Sequence, residues 1–223
     1  NWRVELLRTD KDGSVYYTAC RDASVRQCLY KVNAAGEIKA LTDTSLNVNS
    51  VSFAPDGKHF IAALSNFTTP VQLWMYETSS AAEAWKARRV LASSDKKAKR
   101  YNARPANTAY LVADMKGNDY NAANYALPQL IYIENDGLKL PAYIVYPENF
   151  DPTKKYPVHV DIYGGPDSPQ VRDRWIHPYG SNQWWAKNGI IEVTADCRAA
   201  GHNGREGLDQ IYKHLNTKEV EDF

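Results

Sequence analysis

The sequence predicts an all-β region followed by an α/β region, and two observations carry that prediction. Across residues 1 to 92, short runs of β-forming residues alternate with turn signals. From about residue 130 the order becomes strand, loop, helix, strand, helix, the grammar of an α/β sheet. The 223 residues suffice for one large domain or two small ones, each with a buried core.

Asn1-Trp2-Arg3-Val4-Glu5 reads as the middle of a strand, and Ser14-Val15-Tyr16-Tyr17-Thr18-Ala19 alternates. Cys28-Leu29-Tyr30-Lys31-Val32, Val51-Ser52-Phe53, Phe60-Ile61-Ala62-Ala63-Leu64 and Val71-Gln72-Leu73-Trp74-Met75-Tyr76 continue the pattern. Asp12-Gly13, Ala35-Gly36, Pro55-Asp56-Gly57 and Thr69-Pro70 mark the turns. The Asp-Gly pairs at 12–13 and 56–57 each lead into a strand, and a spacing of about 40 to 50 residues suits the blades of a β-propeller. A β-sandwich fragment reads the same way. Residues 93–128 are the least legible: 93–100 form a basic run expected to be a solvated loop, and a domain junction is expected nearby.

Further on, a hairpin is expected around Asn135-Asp136-Gly137, with Pro141 at an edge or bulge. Val158-His159-Val160-Asp161-Ile162-Tyr163 reads as a strand running into Gly164-Gly165-Pro166. Residues 182–188 suit a helix capped by Gly189, Ile190 to Ala195 a buried strand, and 204–215 another helix.

Lys and Arg total 27 against 26 Asp and Glu, which removes the electrostatic argument for nucleic-acid binding. Mean hydropathy is −0.56, and no apolar run approaches the ~20 residues that cross a bilayer. The three cysteines match no metal or redox spacing. Cys20 and Cys28 flank a polar stretch between two strands, so a hairpin disulfide and two free thiols are both open readings. No histidine pair has metal-ligand spacing, His159 reads as a packed residue, and no cofactor is expected. Asn66-Phe67-Thr68 is a glycosylation acceptor only in a eukaryotic secretory source.

In an open α/β sheet, chemistry collects beyond the C-terminal ends of the strands. Two places qualify. In Tyr163-Gly164-Gly165-Pro166-Asp167-Ser168, glycines allow close backbone approach to a ligand, and a tyrosine hydroxyl can donate to an oxyanion. In Asp196-Cys197-Arg198-Ala199-Ala200-Gly201-His202-Asn203-Gly204, a carboxylate and a guanidinium can pair or hold a loop, and Arg198 can also meet a substrate carbonyl. No serine sits in a G-x-S-x-G elbow; Ser181 follows Gly180, but Tyr179 stands where the first glycine belongs.

Residues 137–158, including Phe150-Asp151-Pro152 and Lys154-Lys155-Tyr156-Pro157, followed by Tyr163-Gly164-Gly165-Pro166, resemble the prolyl oligopeptidase family and its dipeptidyl peptidase IV branch in particular. Gly189-Ile190-Ile191-Glu192-Val193, Asp196-x-Arg198 and Leu215-Asn216-Thr217-Lys218-Glu219-Val220-Glu221-Asp222 fall in that family's order. Tyr163, rather than His, before the glycines favours this branch over the acylaminoacyl-peptidase branch. The resemblance implies β-propeller blades with a junction loop over residues 1–128, then the N-terminal part of an α/β-hydrolase domain over 129–223. It implies a serine exopeptidase that removes N-terminal dipeptides with Pro or Ala in second position. Tyr163 takes the oxyanion-stabilising role, and Arg198 is a substrate-binding candidate.

The family's Ser, Asp and His are expected beyond Phe223, and its Glu-Glu pair upstream; no Glu-Glu occurs here. Both chain ends therefore read as cuts, and the chain as catalytically incomplete. A non-catalytic peptide- or protein-binding relative and an acylaminoacyl or tripeptidyl peptidase are the alternatives. Peptides are the expected partners, the parent enzyme is a candidate homodimer, and the branch points to a secreted, periplasmic or membrane-anchored protein. One departure stands out: Cys197-Arg198-Ala199 replaces the family's Gly-Arg-Gly, putting that loop's backbone path in question.

Overall fold

The computed structural model describes residues 2–87, 89–90, 107–177 and 180–223. The basic run at 93–100 and Tyr179 lie outside the described residues. Two compact units emerge, one of Val4–Asn118 and one built on Asp119–Phe223.

The first unit begins with an antiparallel meander of β1 (Val4–Thr9), β2 (Val15–Ala23), β3 (Arg26–Val32) and β4 (Ile38–Ala40), in that spatial order. A second meander follows, of β5 (Asn47–Phe53), β6 (His59–Ser65) and β7 (Gln72–Glu77). After a short helix α1 (Ala81–Ala84) and a two-residue strand β8 (Arg89–Val90), strand β9 (Tyr110–Asp114) pairs with β7, and β8 lies parallel on its outer side.

The two Asp-Gly turns occupy equivalent places, between the first and second strand of each meander. The Asp12 carboxylate accepts the Ser14 N–H at 2.9 Å, and the Asp56 carboxylate accepts the Lys58 N–H at 2.9 Å. Gly13 and Gly57 both adopt left-handed φ, 79° and 69°, which glycine reaches without steric penalty. The repeat seen in the sequence is thus a repeat of strand–turn–strand units.

Alternation along β2 and β3 decides the cysteine question. Tyr16 and Leu29 enter a core shared with Leu46, Val48, Phe60, Leu64, Trp74 and Tyr76. Tyr17, Ala19, Cys28 and Tyr30 face the opposite side. Cys28 stands directly across from Ala19, so Cys20, one residue on, turns to the other face of the sheet. Neither cysteine is joined in a disulfide, and burial pushes Cys28 up to about 12.

The second unit is a four-stranded sheet of β10 (Gln129–Asn135), β11 (Leu138–Val145), β12 (Val158–Asp161) and β13 (Ile191–Ala195), in spatial order β10-β11-β13-β12. Asn135 pairs with Leu138 across the two-residue turn, where Asp136 and Gly137 both take positive φ, the conformation a tight hairpin demands. Strands β12 and β13 are parallel, joined through helix α2 (Ser181–Lys187), which ends at Gly189 with φ 73°.

Two sequence expectations are corrected. Pro141 lies inside β11, between two neighbours, rather than at an edge. It pairs with Tyr132 on one side, while the β13 ladder begins only at Ala142, so its missing N–H breaks no ladder bond. The helix expected over 204–215 is shorter: α3 covers Gly204–Asp209, and Lys213 and Asn216 take φ of 62° and 61°, which no helix continues through. A last helix, α4 (Lys218–Asp222), follows.

Candidate functional site

The ladder of β12 ends at Asp161, and Ile162 and Tyr163 carry the chain off the sheet edge into the glycine pair. Tyr163 is 63% exposed. Gly164 takes φ 73°, a conformation a side chain would strain. At Gly165 the reason for glycine is different: a Cβ there would collide with the Tyr163 ring, so the ring lies across bare backbone.

The segment after β13 holds this loop from beneath. The Asp167 N–H donates to the Ala199 carbonyl at 2.9 Å, and the Cys197 thiol reaches the Gly164 carbonyl at 3.8 Å. Burial raises the Cys197 thiol. The Asp196 carboxylate accepts the N–H groups of Gln170 at 3.0 Å and Val171 at 2.7 Å. Cys197 and Ala199, where the resemblance led to an expectation of glycine, are fully buried beside Ala200, Leu208 and Ile211, and neither has positive φ. Their side chains fit the loop's path.

Arg198 is the largest fully buried side chain among the described residues, at 1% exposure. It does not pair with its near neighbour Asp196. Its Nε and Nη2 form a fork onto the Asp222 carboxylate, at 2.9 and 2.6 Å. Nη2 also donates to Asp136 at 3.1 Å, and Nη1 to the Gln210 amide oxygen at 2.6 Å. The Arg198 N–H donates to Asp222 as well, at 2.8 Å. Arg198 thus ties together the β10–β11 turn, the segment after α3, and α4. Every guanidinium nitrogen therefore donates to protein.

The electrostatics agree. Hydrogen bonds to Asp222 raise Arg198 further above its already high value. Burial alone would raise Asp222, but hydrogen bonds from Arg198 and Asn135 outweigh it and hold the carboxyl below its usual range. Asp136 is lowered by Arg198 and then by Lys218. Among the described residues, no group of three or more His, Cys, Asp or Glu is arranged to hold a metal ion.

The sequence model of the dipeptidyl peptidase IV (DPP IV) N-terminal region matches residues 1–71. A probable dipeptidyl-aminopeptidase B of Trichophyton verrucosum is 30% identical over 217 residues, which is 95% of this chain and 21% of the relative. A probable dipeptidyl peptidase 4 of Emericella nidulans is 30% identical over 231 residues, 99% of this chain and 26% of the relative. The chain is similar to dipeptidyl peptidase IV proteins over nearly all of its length. It spans about a fifth to a quarter of the length of these relatives. The crystal structure of Porphyromonas gingivalis dipeptidyl peptidase 4 superposes with a TM-score of 0.73 at 27% identity, covering 100% of this chain and 28% of that one. The mostly β, helix-poor architecture is that of a β-propeller fragment.

Asp222, Asp136 and Gln210 are the partners of Arg198, yet none is near it in sequence. Asp136 carried a signal of turn chemistry only, and Asp222 appeared only as part of a family string.

Proposed function

We propose that the protein to which this chain belongs is a serine-type dipeptidyl peptidase that releases N-terminal dipeptides with Pro or Ala in second position. In this reading residues 1–128 are late propeller blades with a junction loop, and 129–223 open an α/β-hydrolase domain. The parallel pair β12–β13 joined through α2 supports that assignment. The nucleophilic Ser and its Asp and His belong elsewhere in the protein, so this stretch is catalytically incomplete by itself. Peptides are the partners, the whole enzyme is a homodimer, and it works outside the cytoplasm or at a membrane. No helix among the described residues is long and apolar enough to cross a membrane.

The observation that carries the proposal is Tyr163. Its ring is exposed at the end of a parallel strand, on a loop that glycines shape and the next strand's loop fixes. Serine attack turns the scissile carbonyl oxygen into an oxyanion, and the Tyr163 hydroxyl donates to it. A donor aimed at charge that exists only in the transition state raises kcat more than it tightens binding. Removing one such donor costs on the order of 10²–10³ in turnover. Tyr163→Phe in the full-length protein is therefore expected to lower kcat on a Gly-Pro substrate by at least about tenfold, with KM changed less. An unchanged kcat overturns the role of Tyr163. A full-length protein that hydrolyses no such substrate overturns the peptidase reading itself and leaves a peptide-binding relative.

A further inference from the structure

We propose that His202 and Asp196 form a positioning pair that holds the Tyr163 loop in its oxyanion-stabilising arrangement. The proposal rests on the role given to Tyr163 above. His202 Nε2 lies 2.8 Å from Asp196 Oδ2, and both side chains are 2% exposed. The same carboxylate receives the backbone N–H groups of Gln170 and Val171. Three donors thus converge on one buried anion, from two different segments. Two of them belong to the descending limb of the loop that begins at Tyr163, and the third is the imidazole.

The geometry makes His202 the donor that completes the clamp. A buried carboxylate is stable only when its lone pairs are satisfied. Without the imidazole, Oδ2 keeps a single backbone donor, and the carboxylate is driven to seek water or another partner. Either move pulls on Gln170 and Val171. Gly201, immediately before His202, is part of the same fit: a Cβ there would stand 2.9 Å from Asp167 Oδ1. The Asp167 N–H is itself fixed to Ala199. The segment 196–202 therefore grips the segment 164–171 at its start, middle and end, and His202 locks the end. Neither residue touches substrate in this scheme; both act through Tyr163.

The test is a double-mutant cycle in the full-length protein, with amide hydrogen exchange of residues 164–171 as a readout independent of activity. His202→Ala is expected to lower kcat about tenfold with KM nearly unchanged, and to speed exchange in 164–171. His202→Gln, which keeps an N–H donor, is expected to restore most of both. In a Tyr163→Phe background, His202→Ala is expected to lower kcat no further, because the group it positions is gone. Should His202→Ala fail to fold, Asp196→Asn takes its place in the cycle, since it sets an amide NH₂ against a backbone donor. Additive losses in the double mutant, equal losses for Ala and Gln, or unchanged exchange each overturn the positioning pair. A silent Tyr163→Phe points instead to failure of the reading on which the pair rests.

Discussion

At the scale of single residues, the glycine pair shows two different reasons for the same amino acid. Gly164 is glycine because of its backbone, which takes φ 73°. Gly165 is glycine because of its neighbour, since any Cβ would occupy the space of the Tyr163 ring. On the role proposed for Tyr163, the second reason has a functional consequence that the first lacks. Gly165→Ala is expected to leave the loop's backbone allowed while forcing the ring aside, moving the hydroxyl from its place. Misplacing a reacting group by about 1 Å can cost about 10²-fold in rate. Turnover of Gly165→Ala is thus expected to fall towards that of Tyr163→Phe, with thermal stability close to wild type. Full activity in this variant would show that the ring's resting position does not matter.

At the scale of elements, Arg198 joins three pieces of chain that contribute little local stability of their own. Helices α3 and α4 have six and five residues, far below the length at which isolated helices hold. Gly207 of α3 sits so close to the Arg198 carbonyl that a Cβ would collide with it. The Asp222 carboxylate of α4 receives both the guanidinium fork and the Arg198 N–H. Removing one partner of a buried pair leaves an uncompensated charge, at a cost of about 3–5 kcal/mol. Asp222→Ala is expected near the lower end of that range, because the partly exposed Asp136 still faces the guanidinium. Replacing both partners with Arg198→Met and Asp222→Leu is expected to destabilise less than Asp222→Ala alone. Urea unfolding midpoints of the three proteins check this, and a double variant worse than the single would contradict it. This hub was illegible in the sequence for a physical reason. Strands and turns announce themselves by period and local chemistry, as the Asp-Gly turns and the Asn135-Asp136-Gly137 hairpin did. Contacts between residues 62 and 24 positions apart, as Arg198 makes with Asp136 and Asp222, depend on topology that no local pattern encodes. Strand β9 was missed for a related reason: its five residues follow a stretch with no period, and only pairing with β7 makes it a strand.

At the scale of the whole molecule, two buried carboxylates of the second unit pull pH dependence in opposite directions. The pairing of Asp222 with Arg198 holds it below its ordinary 3.8. Its stabilising contribution is therefore present above that value and is lost as pH falls through the lower, folded-state one. Glu192 behaves in reverse. It lies on β13 directly across from His159 of β12, and its Oε2 and the His159 Nδ1 have no hydrogen-bond partner. Burial raises its pKa above the ordinary 4.5; His159 opposes that shift, and Asp161 adds to it. Tyr143 of β11 also interacts with Glu192, and Trp185 of α2 stacks 4.4 Å from the His159 ring; neither is a cation. The contribution of Glu192 is thus fully present below 4.5 and is lost as pH rises through the folded-state value. Glu192→Gln mimics the protonated acid at every pH. It is expected to melt above wild type at pH 7 and level with it at pH 4, removing the downward slope between them while leaving the acid limb set by Asp222. Melting curves of both proteins across that range measure the difference directly. Equal melting temperatures at pH 7 would mean that His159 fully compensates the buried carboxylate, making the two side chains an ion pair rather than a strained neighbour pair.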